Sequence, residues 1–164
     1  MSSMLFPEKG RKEQKVEEIL LHNYNSYFRL AYSYVRNEAD AGDIVQNGAY
    51  KAILHSSSLR NAEYASTWVY RIMLNEIFRF LKKEKQLSYE EQAMEEGRED
   101  VYRDIDLYRA LDGLPGQDKA VIELKYFEDM KLSEIAEVLG ENVNTVKSRL
   151  YRGLKKLRLE LSDN

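Results

Sequence analysis

Three features of the sequence predict an all-α chain of two small helical domains joined by an acidic linker, the second domain a helix-turn-helix. Apolar residues recur at helical spacing along most of the chain. Only two prolines and eight glycines punctuate 164 residues. Charge is segregated by position: residues 1–87 carry 13 basic and 10 acidic side chains, residues 88–112 carry 3 and 9, and residues 113–164 carry 9 of each. A hydrophobic fraction of 43% beside a charged fraction of 32% suits a folded helical protein.

The N-terminal part reads as three helices, with the segment before Asn23 adding a fourth. Tyr27, Leu30, Ala31, Tyr34 and Val35 fall at i, i+3, i+4, i+7 and i+8. After "RNEAD" the pattern restarts with Ile44, Val45, Gly48, Ala49, Ala52 and Ile53, and Asp40 or Asp43 is suited to open that helix. "HSSSLRNAEYAS" is a polar loop, and a third helix starts near Ala65, burying Val69, Ile72, Met73, Ile77, Phe80 and Leu81. Along this helix Tyr64, Trp68, Tyr70, Phe78 and Phe80 alternate with Arg71, Arg79, Lys82 and Lys83. Aromatics beside cations stack unpaired bases and neutralise a phosphate backbone. The alternative is that most of these aromatics are core, where large aromatic side chains are usually found.

"SYEEQAMEEGREDVYRD", residues 88–104, is acidic, weakly apolar and holds a glycine, as a linker would. A solvated helix face is the alternative. Beyond it, Leu107, Ala110, Leu111 and Leu114 fit a helix stopped by "GLPG", and a second helix spans about Gln117 to Phe127 with Val121, Ile122 and Leu124 apolar. "LSEIAEVLG" is a short helix with Ser133 as a candidate N-cap, Ile135, Ala136 and Leu139 inward and Gly140 at the C-cap. The next helix, capped by Asn144 or Thr145, carries "NTVKSRLYRGLKKLR", with Val143 as an apolar plug in the preceding turn.

Two short helices joined by a tight turn, the second strongly basic, form a helix-turn-helix. At about 100° per residue, Val146, Leu150, Leu154, Leu157 and Leu161 fall on one stripe of the second helix. Ser148, Tyr151, Arg152 and Lys155 fall opposite, flanked by Lys147 and Arg149. Lys and Arg pair with phosphates, while Arg and Ser reach base edges in the major groove.

Other chemistries lack their residues. With no cysteine there is no disulfide or thiolate metal site, and His22 and His55 stand too far apart in sequence to suggest a metal motif. No phosphate-cradling glycine loop or nucleophile–base pattern is present, so no enzyme, cofactor, metal or small-molecule substrate is expected. No apolar run approaches the ~18 residues of a membrane span, and "MSSMLFPEKGRKEQKVEE" lacks a signal-peptide core, so the cytoplasm is the expected location.

The string "LSEIAEVLGENVNTVKSRLYRGLKKLR" resembles the promoter-reading helix-turn-helix of sigma factors of the sigma-70 superfamily, and "YFRLAYSYVRNEADAGDIVQNGAYKAI" with "WVYRIMLNEIFRFLKK" resembles their other obligatory domain. The two motifs, their order and the short connection resemble the extracytoplasmic-function (ECF) group over residues 24–161, and the recognition region is similar to envelope-stress members, those answering to lysozyme. The resemblance implies region 2 in residues 1–87, a linker in 88–104 and region 4 in 105–164. It implies docking on core RNA polymerase through Asp43, Ile44 and Gln46, which match a D-x-V-Q motif. Tyr64, Trp68, Arg71 and Asn75 would meet the opened -10 strand, where a flipped base must recover a few kcal/mol of unstacking. Lys147, Ser148, Arg149, Tyr151 and Arg152 would read the -35 duplex. An anti-sigma partner, often membrane-anchored in this group, is also implied.

Gly48, Glu141 and Asn144 depart from the residues common at their positions. The competing classes are a stand-alone helix-turn-helix regulator, which would need a dimerisation element or ligand pocket, and a sigma-like interaction module that does not start transcription.

Overall fold

The computed structural model describes residues 10–90 and 105–162. Among these described residues eight helices follow one another: α1 (Arg11–His22), α2 (Tyr24–Val35), α3 (Glu38–Leu54), α4 (Ala65–Glu90), α5 (Ile105–Asp112), α6 (Gly116–Tyr126), α7 (Leu132–Leu139) and α8 (Val143–Ser162). Two 3₁₀ turns, Ser56–Ser58 and Ala62–Tyr64, punctuate the loop between α3 and α4. No strand occurs among the described residues. Most of the acidic linker, residues 91–104, lies outside them.

The four N-terminal helices form a bundle in which α3 packs on α2 and α4, and α1 crosses α4. Tyr27, Leu30, Ala31, Ile44, Val45, Ala52, Val69, Met73 and Ile77 are buried as their spacing requires. Tyr70 is core as well, its ring edge-on to Tyr27 at 4.9 Å, so it does not belong to an exposed aromatic series. Ile53 is exposed despite its place in the pattern. α3 opens earlier than either aspartate: Asn37 is its N-cap, and its side chain accepts the Asp40 N–H at 2.9 Å. Gly48 has a packing reason, because a Cβ there would stand 2.5 Å from the Met73 sulfur. The missing side chain leaves room for the buried Met73 thioether, which compensates in part for glycine's low helix propensity. Glu76, buried on α4, is matched by Lys51 of α3 at 2.6 Å.

In the C-terminal part α6 and α7 pack against α8, and α5 closes the far end of α8. Gly140 ends α7 at φ 68°, the left-handed conformation expected of a C-cap glycine. Other details of the turn differ from expectation. Leu132 begins α7, with Glu134 accepting the Lys131 N–H at 2.9 Å, so Ser133 is not the cap. Asn142 caps α8 by accepting from the N–H groups of Asn144 at 2.8 Å and Thr145 at 3.3 Å. Val143 is thus the first helical residue and is partly exposed rather than a plug.

The two halves pack directly against each other. A contiguous apolar core runs from Val16 of α1 to Leu150 of α8. Polar contacts cross between the halves. Ser33 Oγ lies 2.7 Å from Glu123 Oε1, Lys119 Nζ donates to the Ser33 carbonyl at 2.8 Å, and Arg36 pairs with Asp112 at 3.0 Å. The Tyr70 hydroxyl donates to Glu128 at 2.8 Å. Lys119 Nζ also sits 4.1 Å from the centre of the Tyr34 ring.

Candidate nucleic-acid interface

Three surfaces carry the residues singled out by sequence. The first is the start of α4. Trp68, half-buried, and the exposed Arg71 and Asn75 share one face of α4 at turn-by-turn spacing, and the exposed Tyr64 ends the 3₁₀ turn that leads into it. The loop that leads into them is anchored by buried Ser56 and Leu59 and by Asn61, whose side chain accepts the Glu63 N–H at 2.9 Å. Arg60, Tyr64, Trp68 and Arg71 form one wall of a cleft of about 890 Å³, and Glu137 and Val143 stand on the other. The aromatic–cation stripe of the first half therefore faces the helix-turn-helix of the second.

The second surface is on α3, where Asp43 and Gln46 are exposed. Ile44 is not part of it: at 2% exposure it points into the core. The apolar period of α3 already contains Ile44, and a helix cannot present successive residues to the same side.

The third surface is α8. Val146, Leu150 and Leu157 are buried, and Lys147, Ser148, Tyr151, Arg152 and Lys155 are exposed. The positive side chains coat the face opposite the apolar stripe, as winding the sequence predicts. Arg149 departs from this pattern. Its Nε and Nη2 donate to the two carboxylate oxygens of Glu141, both at 3.0 Å, and its Nη1 donates to Asp118 at 3.3 Å. All three guanidinium nitrogens are engaged, which makes Arg149 a clasp joining α8 to the turn and to α6. The Glu141 that looked out of place in the turn is the partner this clasp needs.

Asp118, only 1% exposed, also receives Arg152, whose Nε donates at 2.9 Å and Nη2 at 3.1 Å. These bonds, from Arg152 first, hold the Asp118 carboxyl below the usual range against the opposing effect of burial. Asp118 carries no distinctive signal in the sequence. It reads there as an ordinary acid in the first turn of α6, between Gln117 and Lys119, and its role becomes readable only when α8 is laid against that helix.

Removing one member of such a network strands the others. Arg149→Ala should lower the unfolding free energy by about 2 kcal/mol, less than a fully buried pair would cost because Glu141 is partly exposed and Asp118 keeps Arg152. Arg149→Lys should not restore it, since an ammonium cannot fork across two carboxylate oxygens. Urea unfolding monitored through Trp68 measures both, and an unchanged midpoint in Arg149→Ala would show that the clasp adds nothing.

A cationic helix set by a three-residue turn on a shorter apolar helix defines a helix-turn-helix protein of the nucleic-acid-reading kind. Two family models match the chain in sequence order, sigma-70 region 2 over residues 19–86 and sigma-70 region 4 over residues 104–157. The RNA polymerase sigma factor SigV of Bacillus subtilis is 42% identical over 160 residues, spanning 93% of this chain and 96% of the relative. The ECF RNA polymerase sigma factor SigW of the same organism is 32% identical over 155 residues, 83% of each chain. The sigma factor RpoE of Bartonella quintana, solved with the anti-sigma factor NepR, has the same fold at a TM-score of 0.74 and 21% identity, over 89% of this chain and 96% of that one. CnrH, solved with the cytosolic domain of CnrY, superposes at 0.69 with 22% identity, over 91% and 88%. The chain belongs to the extracytoplasmic-function sigma factors of the sigma-70 superfamily, and it is an alternative sigma factor.

Proposed function

We propose that residues 1–87 act as the polymerase- and -10-binding unit, residues 88–104 as the linker and residues 105–164 as the -35-binding unit of this sigma factor. The exposed Asp43 and Gln46 of α3 dock on core RNA polymerase. Tyr64, Trp68, Arg71 and Asn75 receive the separated strand at the -10 element, aromatic faces taking bases and cations taking phosphates. Lys147, Ser148, Tyr151 and Arg152 of α8 lie along the major groove of the -35 duplex. The protein acts in the cytoplasm, as a binding protein rather than an enzyme, on genes that answer envelope stress, and is restrained by an anti-sigma partner. That restraint is supported by the fold shared with RpoE, which was solved with an anti-sigma factor. No helix among the described residues is long and apolar enough to cross a membrane.

The observation that carries this reading is the division of one chain into two reading faces, an aromatic–cation stripe on α4 and a cationic ridge on α8. In the packed arrangement the α4 stripe faces α7 and the turn after it, so the halves must part before both faces meet DNA. A formal net charge of -3 suits a protein that reads DNA only when polymerase carries it, because phosphate contacts dominate non-specific affinity.

The test is transcription in vitro. Purified chain added to core polymerase should start RNA at discrete sites on genomic DNA, and sequencing the 5′ ends should align two promoter elements. Arg152→Ala should weaken starts that depend on the upstream element while the complex with polymerase survives. A chain that binds polymerase but starts RNA nowhere would overturn the reading.

A further inference from the structure

The Arg152 guanidinium has two edges that can each make a pair of parallel hydrogen bonds, Nε with Nη2 and Nη1 with Nη2. Asp118 takes the first edge at 2.9 and 3.1 Å. The Arg152 side chain is nonetheless 60% exposed, whereas that of Asp118 is 1% exposed. The carboxylate thus sits fixed in the α6–α8 seam and holds the guanidinium plane from behind, leaving the second edge for an external acceptor. Ser148 and Lys155, neighbours of Arg152 at helical spacing, and the adjacent Tyr151 are likewise exposed on α8.

We infer that Asp118 is a positioning residue for -35 recognition: from α6 it fixes the Arg152 fork so that the free Nη1/Nη2 edge meets a two-oxygen or oxygen–nitrogen acceptor on the duplex. The inference rests on the assignment of α8 to the -35 element. Two sources offer that acceptor, the O6/N7 pair of a guanine and the oxygens of a backbone phosphate. Holding the plane in advance spares the entropy of ordering a long side chain on binding. An unheld arginine would keep its charge but lose its aim.

The sign of the effect separates this role from plain electrostatics. Asp118 is an acid beneath a DNA-reading face, so removing its charge should strengthen duplex binding if charge alone mattered. Positioning predicts the opposite. The experiment uses the full chain assembled with core polymerase on a promoter library randomised across the -35 element, comparing wild type, Asp118→Asn, Arg152→Ala and the double variant. Asp118→Asn should cost about 10-fold in use of the preferred elements, in the range of one forked contact. Arg152→Ala should cost at least as much, and the double variant no more than Arg152→Ala alone. A loss confined to one base pair identifies guanine, whereas a uniform loss with a shallower salt dependence identifies phosphate.

Unchanged or stronger promoter use by Asp118→Asn, or a loss that adds in full to that of Arg152→Ala, would overturn the inference. Arg152→Lys keeps a positive charge on α8 but cannot fork, and should reproduce the loss; a thermal melt of each variant shows that it is folded at the temperature of the transcription assay, which separates lost aim from a fold defect in Asp118→Asn. If wild type starts RNA on no library member, the -35 assignment and this inference fall together. If wild type starts RNA and both Asp118→Asn and Arg152→Lys behave like it, only the inference falls.

Discussion

Between pH 5 and pH 8 the chain should lose about 2 to 3 kcal/mol of unfolding free energy through one residue, and Glu123→Gln should remove that loss. Glu123 lies on α6 at the contact with α2, 1% exposed. Burial is the main cause that pushes its carboxyl up from 4.5 to about 7, against the lowering effects of Lys119 and of the hydrogen bond with Ser33. The hydrogen-bond geometry accommodates a neutral acid. Ser33 Oγ is 2.8 Å from the Leu30 carbonyl and 2.7 Å from Glu123 Oε1. A hydroxyl has one proton, so if it goes to Leu30 the second short contact needs a proton from Glu123. Glu123 Oε2, buried, has no hydrogen-bond partner among the described residues, which a neutral acid tolerates better than a carboxylate.

The direction follows from linkage. The folded state holds its proton up to about pH 7, whereas the unfolded state releases it near 4.5, so the stabilisation is present in full below 4.5 and is lost as pH rises to about 7. Asp118 acts in the other direction: its lowered pKa adds stability above the usual aspartate range that is lost on acidification. The two therefore occupy separate windows. Urea titrations of wild type and Glu123→Gln from pH 5 to 8 provide the check, and parallel pH profiles would rule out a neutral Glu123.

Asp43→Arg should abolish capture of core polymerase, by at least about 100-fold in affinity, while leaving the fold intact. Asp43 is exposed on α3 and makes no ion pair among the described residues, so its replacement removes nothing that holds the bundle. Reversing a charge inside a complementary interface sets like charges together, at a cost of several kcal/mol. Gel filtration with core polymerase reads the complex and a thermal melt reads the fold. A retained complex would exclude this face of α3. Ile44→Ala is the informative comparison, because it should lower the melt through a core cavity whatever its effect on the complex.

The helices themselves were legible because helical periodicity is local. The apolar stripes of α2, α4 and α8 predicted their buried faces, and Gly140 marked the end of α7 by its freedom at positive φ. Cap positions were less legible. Asn37 and Asn142 each compete with neighbouring polar residues of similar capping strength, and the backbone path decides between them.

The amino-acid order by itself determined an all-α chain, its helix-turn-helix, and the gathering of cations on the outer face of α8, since each is set by residues within a few turns of one another. Only the tertiary structure decided that Arg149 turns inward, that Asp118 backs Arg152, and that Glu123 meets Ser33 between the halves. Those partners stand 31, 34 and 90 positions apart, and a contact across such distances depends on how helices pack, which no local pattern encodes.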